Sequence, residues 1–141
     1  MTIDENMVKR KLAHILEECK FIDQLESMSK EDFVSDGRNL RSSAKAIENL
    51  AQSILDISSH IIAQNNWGIP DTYKAMIGLL DTHDIISEEL SENLKNLVSM
   101  RNILVHRYAD PDYGILWNSL KQISLDARSF VSLMREYLEK N

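Results

Sequence analysis

Apolar residues recur along this chain at intervals of three and four, the period of an α-helix that buries one face. In the first such stretch, about Asp4 to Met28, Val8, Leu12, Ile15, Cys19 and Ile22 fall on one side. Ser29 followed by Asp32 has the spacing of an N-cap with an acidic third residue, and it predicts a new helix start. That second helix is expected to extend to about Asn65, loosened at Gly37, with Leu40, Ala44, Ile47, Ala51, Ile54, Ile61 and Ile62 inward. Asn65-Asn66-Trp67-Gly68-Ile69-Pro70 breaks it, and a short third helix follows from about Asp71 to Thr82. Ser87 with Glu88 and Glu89 makes a cap and an acidic first turn for the fourth. Asp110-Pro111-Asp112-Tyr113-Gly114 ends that segment, and a last helix from about Ile115 to Glu139 buries Leu116, Leu120, Ile123, Ala127, Phe130 and Met134. Long helices with short connections predict an all-α fold, an antiparallel bundle of about five helices forming a single domain over residues 1–141.

The fourth helix interrupts its own pattern. Leu90, Leu94, Leu97, Leu104 and Val105 form an apolar stripe, and Arg101 and Tyr108 fall in the middle of it. A guanidinium stays charged in a protein, and an unpaired buried charge is strongly destabilising, so Arg101 is expected to face an anion, a cleft or a subunit boundary. His106 stands one turn from Asn102, which can orient its imidazole, and at the C-terminal end of the helix, where the dipole favours the protonated form. A histidine that titrates near neutral pH suits proton transfer in phosphoryl chemistry; the bland alternative is a residue that only caps the helix. Arg101 and His106 are five positions apart, about 140° around the wheel, so one straight helix does not present both to a single phosphate.

Composition narrows the field further. At 141 residues with 4 glycines and 2 prolines, the chain is large enough for one core and poor in turns. Cys19 is the lone cysteine and lies on an apolar stripe, as a buried, inert thiol would. No membrane-length apolar run and no cleavable signal is present, which places the expected location in the cytoplasm. Metal-binding and glycine-rich phosphate motifs are missing, so neither a metal nor a cofactor is expected. His14, His60 and His83 have no company that sets them apart from ordinary histidines. The net charge of −6 argues against coating nucleic acid by bulk electrostatics but leaves room for a small basic cleft. Arg38, Arg41 and Lys45, at i, i+3 and i+7, are RNA-binding candidates together with Arg107, or else a solvated face. Asp36 shares a face with Leu40 and Ile47, where an acid needs a partner; it is either the partner of Arg101 or a hydrated acid near a helix start.

The string Arg101-Asn102, three residues, His106-Arg107-Tyr108 resembles the R-x4-H-x-Y signature of the HEPN superfamily, and within it the HepT toxins encoded beside a minimal nucleotidyltransferase antitoxin. Asp32-Phe33-Val34-Ser35-Asp36, Asp56-Ile57-Ser58-Ser59-His60-Ile61-Ile62 and Pro70-Asp71-Thr72-Tyr73 look like that family too, so the likeness spans nearly the whole chain. The resemblance implies a metal-independent endoribonuclease acting as a homodimer, with the motifs of two subunits meeting at a cleft. Two-fold symmetry would bring Arg101 and His106 of both chains to one groove. His106 would then be the general acid or base, Arg101 would hold the scissile phosphate of the RNA, and Asn102 would position one of them. Tyr108 would be the site to which the cognate nucleotidyltransferase attaches AMP, silencing the nuclease, where a tyrosine without that role would simply pack. A non-catalytic nucleotide-binding or adaptor subunit of a nucleotidyltransferase complex remains the alternative.

Overall fold

The structure, a computed structural model, describes residues 2–106 and 112–141, apart from the side chain of His106. Each element within these residues is an α-helix: α1 (Glu5–Ser27), α2 (Lys30–Ser35), α3 (Gly37–Asn65), α4 (Tyr73–Thr82), α5 (Glu88–His106) and α6 (Tyr113–Lys140). The expected stripes of α1 and α6 are buried in full, from Val8 to Ile22 and from Leu116 to Met134.

The single second helix expected over Ser29 to Asn65 is instead two. Ser29 does cap α2, accepting from the Asp32 N–H at 3.1 Å. Asp36, however, leaves the helical region (φ −118°, ψ 115°) and caps α3 by accepting from the Arg38 N–H at 2.9 Å. An aspartate before a glycine competes for backbone donors and favours a cap over a helix interior, so the chain turns where mere loosening was expected. The third helix likewise begins later than Asp71, at Tyr73, because Thr72 accepts from the Ala75 N–H at 3.0 Å.

Polar contacts fix the helix directions. Asp4 and Lys11 at the start of α1 meet His60 and Asp56 late in α3, while Asp23 near its end meets Ser124 and Arg128 of α6. Thus α1 runs antiparallel to both α3 and α6. Within the second layer Tyr73 of α4 lies by Arg101 of α5 and Gly78 by Lys95, again antiparallel. The central helix α3, 29 residues and roughly 43 Å long at ~1.5 Å per residue, touches all the other helices and lies between α1 and α4, while α6 also meets α5, where Asn93 donates to Asp126 at 3.1 Å.

Three side chains set aside as candidates for chemistry have structural roles. Cys19 is fully buried with its thiol against the Ser124 carbonyl, and burial pushes its pKa up, away from the reactive thiolate. His60 accepts the Asp4 N–H at 2.9 Å. His83 stacks on Trp67 with ring centroids 3.8 Å apart, joining the α3–α4 connection to the end of α4. No described helix is long and apolar enough to cross a membrane.

Candidate active site

Helix α5 starts where Ser87 accepts the Leu90 N–H at 3.1 Å, and it turns Leu90, Leu94, Leu97, Val98 and Leu104 into the core. Val105, expected in that stripe, is 36% exposed, because the buried face has rotated past it by the end of the helix. Arg101 keeps its place in the stripe and is partly buried between α3, α4 and α5.

Neutral groups hold the Arg101 guanidinium. Its Nη2 donates to Gln52 Oε1 of α3 at 2.9 Å, its Nη1 donates to Asn102 Oδ1 at 3.2 Å, and its Cζ lies 5.8 Å from the centre of the Tyr73 ring. Among the described residues no carboxylate pairs with it, and its enclosed Nε finds no acceptor. A charge removed from water without a counter-charge attracts any anion that can reach it far more strongly than a surface cation does. An open recess of about 520 Å³ runs from Tyr73 and Lys74 to Asn102, within the roughly 300–1,000 Å³ of small-ligand sites.

Asp36 is not part of this arrangement. Its carboxylate is bound by the Arg38 side chain at 3.1 Å, and the Arg38 side chain and backbone N–H hold its pKa below the ordinary carboxylate range. Of the two readings of Asp36, the pairing with Arg101 is therefore not made, and the acid at a helix start is, with Arg38 two residues on as its partner. Lys45 likewise pairs with Glu48 at 3.7 Å, and Arg41 is exposed, so the structure draws none of the three cations Arg38, Arg41 and Lys45 into the Arg101 network. His106 closes α5, but its side chain lies outside the described residues, as do Arg107 and Tyr108. No group of three or more histidine, cysteine, aspartate or glutamate side chains among the described residues is placed to hold a metal ion.

The sequence profile of the family described as "Ribonuclease HepT-like" matches residues 15–134. The chain belongs to this family. Among its HepT-like relatives is the mRNA nuclease HepT of Shewanella oneidensis, 29% identical over 89 residues that cover 63% of this chain and 67% of that one. A candidate RNase of Archaeoglobus fulgidus is 32% identical over 89 residues, with the same shares covered. The solved structure of a tri-AMPylated Shewanella oneidensis HEPN toxin in complex with an MNT antitoxin superposes with a TM-score of 0.86 at 27% identity, covering 92% of this chain and 97% of that one. The HepT-like assignment agrees with the resemblance carried by the Arg101–Tyr108 string.

Two side chains that contact Arg101 escaped the sequence reading. Gln52 lies 49 positions before Arg101 and is uncharged, so nothing local marks it. Tyr73 was quoted only as part of a helix start. The available signal was the pair Gln52 and Asp56, two polar residues four apart on one face of a long helix.

Proposed function

We propose that this protein is the toxin of a toxin–antitoxin pair, a metal-independent endoribonuclease that cuts RNA at a cleft between two copies of the chain. The observation that carries the reading is the Arg101 guanidinium, partly buried without an anion among the described residues and followed by Asn102 and His106 in a HepT-like chain. In the reaction the ribose 2′-oxygen attacks the adjacent phosphorus and the bond to the 5′-oxygen breaks, leaving a 2′,3′-cyclic phosphate and a 5′-hydroxyl. Arg101 binds the non-bridging oxygens as their charge rises, and its two-pronged geometry suits them. His106 takes the proton from the 2′-hydroxyl or gives one to the leaving oxygen. With two chains, the histidines of a two-fold cleft can serve both ends of the proton transfer. Exposed apolar Ile103, Val105 and Ile115, which border the motif segment, supply surface for such an association.

The test is cleavage of total cellular RNA in EDTA by the wild type and by His106→Ala. Discrete products from the wild type, reduced by about 10²- to 10⁴-fold in the variant, are expected for a general acid–base residue. Equal cleavage by both would remove His106 from the chemistry. An absence of products from unmodified wild-type protein would favour the nucleotide-binding adaptor.

The partner implied by the antitoxin complexes of related chains is a nucleotidyltransferase of the MNT type, with Tyr108 as its target. AMP groups on Tyr108 would place anionic phosphates two positions beyond His106, where they compete with RNA for the Arg101 charge. Incubation with that antitoxin and ATP is expected to add AMP to Tyr108 alone and to stop cleavage. Adducts that persist in Tyr108→Phe would assign the modification elsewhere.

A further inference from the structure

Behind Arg101 a chain of hydrogen bonds runs through the bundle to the first helix. Arg101 Nη2 donates to Gln52 Oε1 at 2.9 Å, Gln52 Nε2 donates to Asp56 Oδ1 at 2.8 Å, and Lys11 Nζ meets Asp56 Oδ2 at 2.9 Å. The chemistry of the end groups admits a single direction for the amide between them. A guanidinium only donates and an ionised carboxylate only accepts, so Gln52 must turn its oxygen to Arg101 and its NH₂ to Asp56. Asp56 thereby locks the Gln52 side chain, and Lys11 offsets the carboxylate charge one residue further back.

The distribution of charge along this relay matters as much as its geometry. Had a glutamate stood at position 52, it would neutralise the guanidinium and set its second oxygen against the Asp56 carboxylate. A glutamine is held by Asp56, orients the guanidinium and leaves its positive charge without a carboxylate among the described residues. Resting on the nuclease reading above, we infer that Gln52, locked by Asp56 and Lys11, is a positioning residue that aims Arg101 at the substrate phosphate while leaving its charge uncompensated. Asp56 acts through Gln52 and not on the RNA.

Gln52→Glu separates this role from a merely structural one. The substitution keeps the bond to Arg101 and turns it into an ion pair; it is made in the Asp56→Asn background, where the new amide can donate to the second oxygen of the glutamate, so the fold is expected to persist with a melting temperature close to that of the wild type. Affinity for a short RNA carrying 2′-deoxy substitutions, which binds but cannot be cut, is expected to fall about tenfold as the anion loses its cation. Cleavage of the matching all-ribose RNA falls with it. Asp56→Asn alone tests the lock: Arg101 still requires the Gln52 oxygen, but a neutral amide holds the Gln52 NH₂ less firmly than the carboxylate did, and Lys11 loses its counter-charge. A loss of up to about 10²-fold in cleavage is expected from such misaiming. Wild-type affinity in the folded double variant, or unchanged cleavage in Asp56→Asn, overturns the inference while leaving the nuclease standing. Binding without cleavage by the wild type overturns the nuclease reading instead, and the affinity comparison still decides the role of Gln52.

Discussion

Arg101→Ala is expected to slow RNA cleavage by roughly 10²- to 10³-fold, the usual consequence of removing one group that stabilises developing charge, with little or no loss of fold stability. The second half of that expectation follows from what surrounds the side chain. Its partners, Gln52 and Asn102, are neutral, and its Nε is enclosed without an acceptor among the described residues. Truncation therefore forfeits two ordinary hydrogen bonds while relieving the desolvation of an uncompensated charge, so the two effects oppose each other. Function and stability pull in different directions here, as they do where a site stores a charge for its substrate. Arg101→Lys is expected to recover only a small part of the rate, because a single ammonium cannot bridge Gln52, Asn102 and a phosphate with the planar fork of a guanidinium. Single-turnover cleavage and thermal melts of the three proteins measure both halves. Full activity in the lysine variant would mean that charge alone suffices, and full activity in the alanine variant would take Arg101 out of the reaction.

Phe130→Ala is expected to produce the largest loss of stability, roughly 3–5 kcal/mol out of the ~5–15 kcal/mol typical of a domain. Phe130 is fully buried among the largest core side chains on α6, the helix that packs along the length of α1. Its removal deletes a ring and leaves a cavity that two long, mutually latched helices cannot readily close around. Urea unfolding followed by circular dichroism gives the change directly. A loss below about 1 kcal/mol would show that the α1–α6 seam collapses to fill the space, contrary to the rigid packing argued here.

Helix existence was legible wherever a stripe of apolar residues ran unbroken, since burial of one face is the dominant energy in forming a long helix in a protein. Thus the inward residues of α1 and α6 follow directly from spacing. The break at Asp36 was not legible from periodicity, because Leu40, Ala44 and Ile47 continue a plausible stripe from Phe33 across it. The decisive event there is a side chain capturing a backbone N–H: of the two readings of Asp36, a partner for Arg101 or an acid near a helix start, the structure takes the second, with the Arg38 N–H as its partner. The site divides along similar lines. Arg101 announces itself because a charge in an apolar stripe demands an explanation. Gln52 and Tyr73 do not, since each is acceptable where it stands and acquires meaning only when α3, α4 and α5 converge. Asn102 was expected to orient His106 or a phosphate; its oxygen accepts from Arg101, and the His106 side chain lies outside the described residues.

The pairing of α1 with α6 also sets the order in which the bundle can close. The apolar stripe from Val8 to Ile22 is synthesised before α6, which covers it along with α3. Until α6 is available, α1 has no complete partner, and α3, which touches both, has one side of its core exposed. The bond between Arg101 and Gln52 joins α5 to α3, and the contact of Lys11 with Asp56 joins α3 to α1. The polar network around Arg101 therefore takes its final geometry late in folding, with the closing of helices that lie far apart in the chain.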